Sequence, residues 1–226
     1  ERPPMAAAGE AGLEGAVACL SLDQGVQYVS YKDETQLPEI MALMDQELSE
    51  PYSIFTYRFF LHKWPGLCVR ALVGDEMVGV VICKAEQEPD RHGNMAYTGY
   101  IAMLAVSDQH RKKGIGSSLV RLAMQRMKDL GCDQAMLETE VSNTKALRLY
   151  DRLGFLRDER LVKYYMNGGD AFRLRLWFEP REQREAGDGA VVRPKEGTSS
   201  ADPHAESPLD IPPGAVPTTG NEAAET

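Results

Sequence analysis

The chain has 226 residues, 43% of them hydrophobic, and a formal net charge of −9, which is enough apolar content for one ordinary domain with a buried core. The charge is uneven: Val26–Pro180 holds 20 Lys and Arg against 21 Asp and Glu, so the two ends hold nearly all of the excess. A near-neutral domain with acidic ends excludes a general case for nucleic-acid binding, and no apolar run approaches the roughly 18–20 residues that a membrane-spanning helix needs.

Residues 1–24, rich in Ala, Gly and Glu and without an aromatic residue, read as a flexible N-terminal segment. Val26–Tyr31 predicts a short strand. Within Gln36–Leu48 the residues Leu37, Ile40, Met41, Met44 and Leu48 recur on one helical stripe. Ser49-Glu50-Pro51-Tyr52 breaks that helix, because proline restricts the residue before it. Ile54–Trp64 is an aromatic second helix, ended by Pro65-Gly66. Leu67–Val73 and Met77–Lys84 predict strands joined by the turn Gly74-Asp75-Glu76. Ala85–Met95 reads as a polar loop, and the apolar run Gly99–Val106 as a strand covered on both faces. A helix opens at Gly114, with Ile115, Leu119, Leu122, Ala123 and Met127 on its buried stripe and Gly131 beyond its end. Ala135–Val141 predicts a strand, and Asn143 an N-cap for a helix over Thr144–Leu153. Phe155–Tyr165 and Ala171–Phe178 predict a last hairpin around Asn167-Gly168-Gly169. Residues 181–226, rich in Pro, Gly, Glu and Ser with no aromatic residue, predict a disordered acidic tail. The order strand, two helices, three strands, helix, strand, helix, two strands predicts a single α/β domain over residues 25–180. Its expected architecture is a mixed, twisted seven-stranded sheet flanked by about four helices.

Cys19, Cys68, Cys83 and Cys132 form no CxxC pair, and His62, His92, His110 and His204 lack metal or triad spacing. No metal is therefore expected, and thiols embedded in apolar runs fit a reducing compartment such as the cytoplasm.

The strongest local signal is Val106-Ser107-Asp108-Gln109-His110-Arg111-Lys112-Lys113-Gly114-Ile115-Gly116-Ser117, which follows a buried strand and opens a helix. A helix start offers unpaired N–H groups and the positive end of the dipole, glycines let the backbone approach a ligand, and three cations stand beside the turn. Such a turn could cradle a diphosphate or simply cap a helix. No lysine follows Gly116 as a P-loop requires, and Ser117-Ser118-Leu119 follows without the third glycine of a dinucleotide fingerprint.

Arg111-x-x-Gly114-x-Gly116 resembles the [QR]xxGxG acetyl-CoA signature of the GNAT superfamily. Four further blocks cover nearly all of residues 26–178: Leu48-Ser49-Glu50-Pro51-Tyr52-Ser53-Ile54, Gly99–Val106, Leu137-Glu138-Thr139-Glu140 and Tyr164-Tyr165-Met166-Asn167-Gly168-Gly169-Asp170-Ala171. These resemble the family of catalytic subunits of N-terminal acetyltransferase C (NatC). The resemblance implies the GNAT fold and transfer of acetyl from acetyl-CoA to the α-amino group of nascent chains that begin with Met and a large hydrophobic residue. It also implies two non-catalytic partner subunits and attachment at the ribosome.

For the coenzyme, the resemblance implies a bulged strand at Met103–Val106 whose backbone at Leu104, Ala105 and Val106 binds the pantetheine. It adds the turn Arg111, Lys112, Lys113, Gly114, Ile115, Gly116 and Ser117, and then Asn143, Ala146 and Tyr150 on the next helix. Glu138 becomes the general base acting through a water, and Tyr150 the general acid for the leaving thiolate. On residues alone, Glu138 and Glu140 share a strand face and could raise each other's pKa or face solvent. Tyr150 reads equally as a core tyrosine, and Tyr100 as either a holder of the water near Glu138 or strand packing. On the substrate side Leu48, Pro51 and Tyr52 lie in the helix break, Glu50 could meet a charged amine, and Tyr164 with Tyr165 could close over a peptide end. Glu140 would orient the substrate. A lysine or small-amine acetyltransferase is the alternative, and would need a more open groove.

Overall fold

The computed structural model describes residues 25–48, 52–89 and 94–178. The expectations for segment 1–24, the tail 181–226, Glu50 and Pro51 lie outside these residues.

The elements follow the predicted order: β1 (Val26–Ser30), α1 (Leu37–Glu47), α2 (Ile54–Lys63), β2 (Val69–Val73), β3 (Glu76–Pro89), β4 (Met95–Val106), α3 (Ile115–Asp129), β5 (Gln134–Glu140), α4 (Thr144–Arg152), β6 (Leu156–Leu161) and β7 (Ala171–Trp177). The seven strands form one sheet in the order β1-β2-β3-β4-β5-β7-β6. Every neighbouring pair is antiparallel except β4 and β5, which run parallel. Each face buries its own core. Ile115, Leu119, Ala123 and Met127 of α3, with Leu147 and Tyr150 of α4, pack on Val81, Ile101, Leu104 and Leu137. Ile40 and Met44 of α1, with Tyr57 and Phe60 of α2, pack on Val80, Ile82 and Met103 of the opposite face. Each fully buried large side chain contributes about 1.5–3 kcal/mol. Gly99 lets α3 come close, since a Cβ there would stand 2.4 Å from the Met127 sulfur.

Three boundaries differ from the sequence reading. The polar loop expected over Ala85–Met95 is mostly sheet, because β3 and β4 continue as a hairpin whose register runs out to Pro89 opposite Met95. Its polar residues pair with one another: Lys84 Nζ lies 2.9 Å from Glu86 and 3.3 Å from Glu88, and Lys63 Nζ lies 2.8 Å from Glu86. A strand outside the core needs no apolar face. The strand expected through Tyr165 ends at Leu161 instead. Asp170 accepts the Lys163 N–H at 2.9 Å and pairs with Arg160 at 2.7 Å, which folds residues 162–170 into a loop that carries both tyrosines. Finally, the strand bulge lies one residue before Met103–Val106. Ile82 pairs with Met103 and Cys83 with Ile101, so Ala102 is the extra residue of β4. Ala102 and the next residue, Met103, consequently both join the α1–α2 core, while Ile101 and Leu104 join the other.

Candidate active site

The bulge opens the sheet. Parallel pairing of β4 with β5 runs only from Thr98–Gln134 to Tyr100–Met136. Beyond it Met103–Val106 stay paired to β3, and Leu137–Glu140 stay paired to β7. The facing edges of β4 and β5 thus diverge into a slot lined by the backbone of Leu104, Ala105 and Val106. Unpaired strand edges are donors and acceptors in want of a partner.

At one end of the slot lies the β4–α3 turn. Ser107 N–H bonds to Val78 O at 2.9 Å, a single 3-10 turn follows, and Lys112 adopts a left-handed φ of 63°. Gly114 follows at φ 80°, a conformation that suits glycine, and α3 begins without a side-chain cap. The first helical bond runs from Ser118 N–H to Gly114 O at 3.0 Å, which leaves the N–H groups of Ile115, Gly116 and Ser117 facing out of the helix start. Lys112 and Lys113 are exposed beside them. Arg111 is placed otherwise than the sequence suggested: its guanidinium turns inward to Glu47, with Nε 3.3 Å from Val106 O and a further pairing to Asp108. The cationic role at the turn falls to the two lysines, and Arg111 instead pins the end of β4. A buried carboxylate at Glu47, 7% exposed, explains the direction it takes.

α4 lies against this turn, for a Cβ at Gly116 would stand 3.3 Å from Leu149. Asn143 caps α4 by accepting the Ala146 N–H at 3.0 Å. Tyr150, 2% exposed, packs edge-on against Phe155 with ring centres 5.5 Å apart. It is therefore a core tyrosine as well as a candidate acid. Burial, with a smaller contribution from Cys83, holds its phenol above the usual value, so it stays protonated at neutral pH.

Glu138 stands at the other end of the slot, 4% exposed. One carboxylate oxygen accepts the Tyr100 hydroxyl at 2.7 Å and the other accepts Arg173 Nε at 2.8 Å. Arg173 also donates to Glu159 at 3.0 Å. The register explains this row, since Glu138 lies opposite Arg173 on β7, which lies opposite Glu159 on β6. Burial first, then the Glu138 charge, holds the Tyr100 phenol well above its usual value, and the Tyr164 hydroxyl interacts with the same pair. Lys84 stands over the Tyr100 ring at 5.5 Å. The like-charged relation expected between Glu138 and Glu140 is not the controlling one. Glu138 is paired with a cation and two phenols, while Glu140 is partly exposed and leans toward Gly169.

Leu48 and Tyr52 are buried in the α1–α2 core. Tyr164 and Tyr165 meet edge to face at 5.4 Å. Tyr52 enters the electrostatic surroundings of both Tyr100 and Tyr165, which brings the substrate-side tyrosines around Glu138. Sequence reasoning missed Arg173, Glu47, Glu159 and Lys84. Arg173 and Arg175 share one face of an otherwise apolar strand, and Glu47 lies three residues past Met44 on an apolar stripe. Charges in such positions signal buried partners.

This fold and slot define a class, and residues 36–155 match the family model described as acetyltransferase (GNAT) family: the chain belongs to that family. It is 52% identical over 155 residues to N-alpha-acetyltransferase 30 of Homo sapiens, a match covering 69% of this chain and 42% of that protein. It is 51% identical over 161 residues to N-alpha-acetyltransferase MAK3 of Arabidopsis thaliana, covering 70% of this chain and 82% of that one. The chain thus spans less than half the length of the human relative. Among solved structures, a NatC complex bound to Gag peptide and CoA contains a chain 42% identical, with a TM-score of 0.63, covering 68% of this chain and 99% of that chain.

Proposed function

We propose that the protein is an acetyl-CoA-dependent acyltransferase that acetylates the α-amino group of protein N-termini. Its preferred substrates in this reading are nascent chains beginning with Met and a large hydrophobic residue. One observation carries the proposal: an uncapped α3 start and a buried Glu138 bracket the same strand slot. The relatives named above support it.

The N–H groups of Ile115, Gly116 and Ser117, reached through Gly114 and backed by Lys112 and Lys113, suit a diphosphate. The open edge at Leu104, Ala105 and Val106 suits an extended amide chain, and its N–H groups suit the thioester oxygen. Bound acetyl-CoA would supply the activated acetyl group. The chain's own residues would do the rest. Glu138, through a water, accepts the proton that the α-amino group loses as its nitrogen bonds to the acetyl carbon. Tyr150 gives its hydroxyl proton to the sulfur as the carbon–sulfur bond breaks. An α-amino group titrates near ~7.7–8.0, so a weak base suffices. Tyr100 and Arg173 hold Glu138 in place. Leu48, Tyr52, Tyr164 and Tyr165 would enclose the peptide end, with Glu50 and Pro51 completing the loop, Glu140 orienting the chain and Asn143 with Ala146 flanking the coenzyme.

By the same reading the protein works in the cytoplasm, co-translationally, with two non-catalytic subunits at the ribosome. The reduced, buried Cys68, Cys83 and Cys132 are consistent with that compartment, and exposed Phe55, Val162 and Met166 are consistent with covering partners. Steady-state acetylation across peptides varied at the second residue, beside an internal-lysine peptide, tests the proposal. Met-Leu peptides should react best, and preference for the lysine peptide would overturn the reading.

A further inference from the structure

We infer that Glu47 is a positioning residue that couples the coenzyme turn to the substrate loop, so that filling one site tightens the other. The inference rests on reading the α3 start as the diphosphate site.

Glu47 is the last residue of α1, and a carboxylate that is 7% exposed requires partners. It takes them from the β4–α3 turn: one oxygen accepts the Asp108 N–H at 2.9 Å, and the other accepts Arg111. Arg111 Nε reaches Val106 O at 3.3 Å. A single guanidinium thus joins Glu47 to the end of β4, just before left-handed Lys112 and Gly114. On the other side, Leu48 leaves the helix at once, in extended conformation at φ −106° and ψ 147°. Leu48 and Tyr52 share a core with Met103 and Ala105 of the bulged strand. Tyr52 in turn neighbours Tyr100 and Tyr165 electrostatically. From turn to Tyr100 the path is contiguous, and Glu47 is the charged joint in it. A ligand that orders the turn at Lys112–Ser117 orders Arg111, then Glu47, then the loop that holds the peptide end. By linkage, the peptide must tighten the coenzyme by the same factor.

The test is calorimetric. Affinities of CoA and of a Met-Leu peptide are measured singly and together on the full chain. Wild type should show coupling of about 5–150-fold. Glu47→Gln keeps an oxygen for Asp108 but loses the charge facing Arg111, and Arg111→Lys keeps the charge but loses the fork. Each should reduce coupling to about twofold or less, well beyond its effect on either ligand alone. Hydrogen exchange on wild type needs no variant: CoA should slow the amides of Leu48 and Tyr52–Phe60 as well as those of the turn. Unchanged coupling in the folded variants, or exchange at Leu48 and Tyr52–Phe60 indifferent to CoA, overturns the inference while CoA binding stands. Wild type that binds no CoA overturns the functional reading as well.

Discussion

Glu138→Gln removes one charge and keeps the side chain's shape. In the native site the two carboxylate oxygens accept from Tyr100 at 2.7 Å and from Arg173 at 2.8 Å. A carboxamide has one acceptor oxygen, so one contact survives and the other sets donor against donor. Arg173 keeps Glu159 at 3.0 Å, so it is not left as an isolated buried cation. The stability loss should be that of one charge-assisted hydrogen bond, about 1.5–3 kcal/mol, within the total of about 5–15 kcal/mol for a domain. The variant should therefore fold. The chemistry should suffer more. A positioned base contributes about 10²–10⁴-fold, and kcat/KM for a Met-Leu peptide should fall by that factor while CoA affinity stays within about twofold. Steady-state acetylation, CoA calorimetry and a thermal melt on the same preparation decide it. A folded variant within about threefold of wild-type kcat/KM would refute Glu138 as the base. Parallel loss of CoA affinity would make it a residue of structure.

Tyr150→Phe keeps the ring against Phe155 and removes the proton donor, so kcat should fall by about 10²–10⁴-fold with little change in peptide KM; a fall in KM alone would deny the acid role. Reversing Lys112 and Lys113 to Glu together should weaken CoA binding about tenfold, by titration calorimetry, with the deficit shrinking as salt shortens the Debye length. Gly99→Val drives a side chain into Met127, whose sulfur would lie 2.4 Å from the new Cβ, and should lower stability by about 1–3 kcal/mol in urea unfolding. Stability should also decline in alkali. Burial pushes the Cys68 thiol up to about 12 and raises the phenols of Tyr57, Tyr100, Tyr150, Tyr164 and Tyr165. Their neutral forms favour the folded state. That contribution is complete below the unfolded values of roughly 8.5–10 and is lost as pH rises through the folded ones, at about 1.4 kcal/mol per pH unit for each proton. Urea midpoints level from about pH 8 to about pH 9 and falling toward about pH 11 are expected, and a flat profile throughout would contradict the burial assignments.

The order of elements was legible because periodicity and breakers are local. The stripe Leu37, Ile40, Met44 marks α1, and Gly114 marks the start of α3. The coenzyme turn was legible for the same reason, since its glycines and cations are contiguous. What sequence could not supply is register. Nothing in one dimension aligns Arg173 with Glu138, because antiparallel pairing of β5 with β7 joins residues 35 apart. Nor does it reveal that Ala102 is the bulged residue, which depends on β3 opposite it. The outer half of the β3–β4 hairpin was misread because its polar residues satisfy one another through Lys63, Lys84, Glu86 and Glu88 rather than through a core. Arg111 was read as a ligand for phosphate because its inward partner, Glu47, is 64 residues away.

The most direct measurement is a crystal structure with CoA joined covalently to a Met-Leu peptide through the acetyl group. The account predicts diphosphate oxygens within about 2.7–3.2 Å of the Ile115–Ser117 N–H groups. It also predicts the sulfur beside the Tyr150 hydroxyl, with the peptide nitrogen facing Glu138 directly or through one water. A diphosphate bound away from the α3 start, or reacting atoms remote from both side chains, would contradict it.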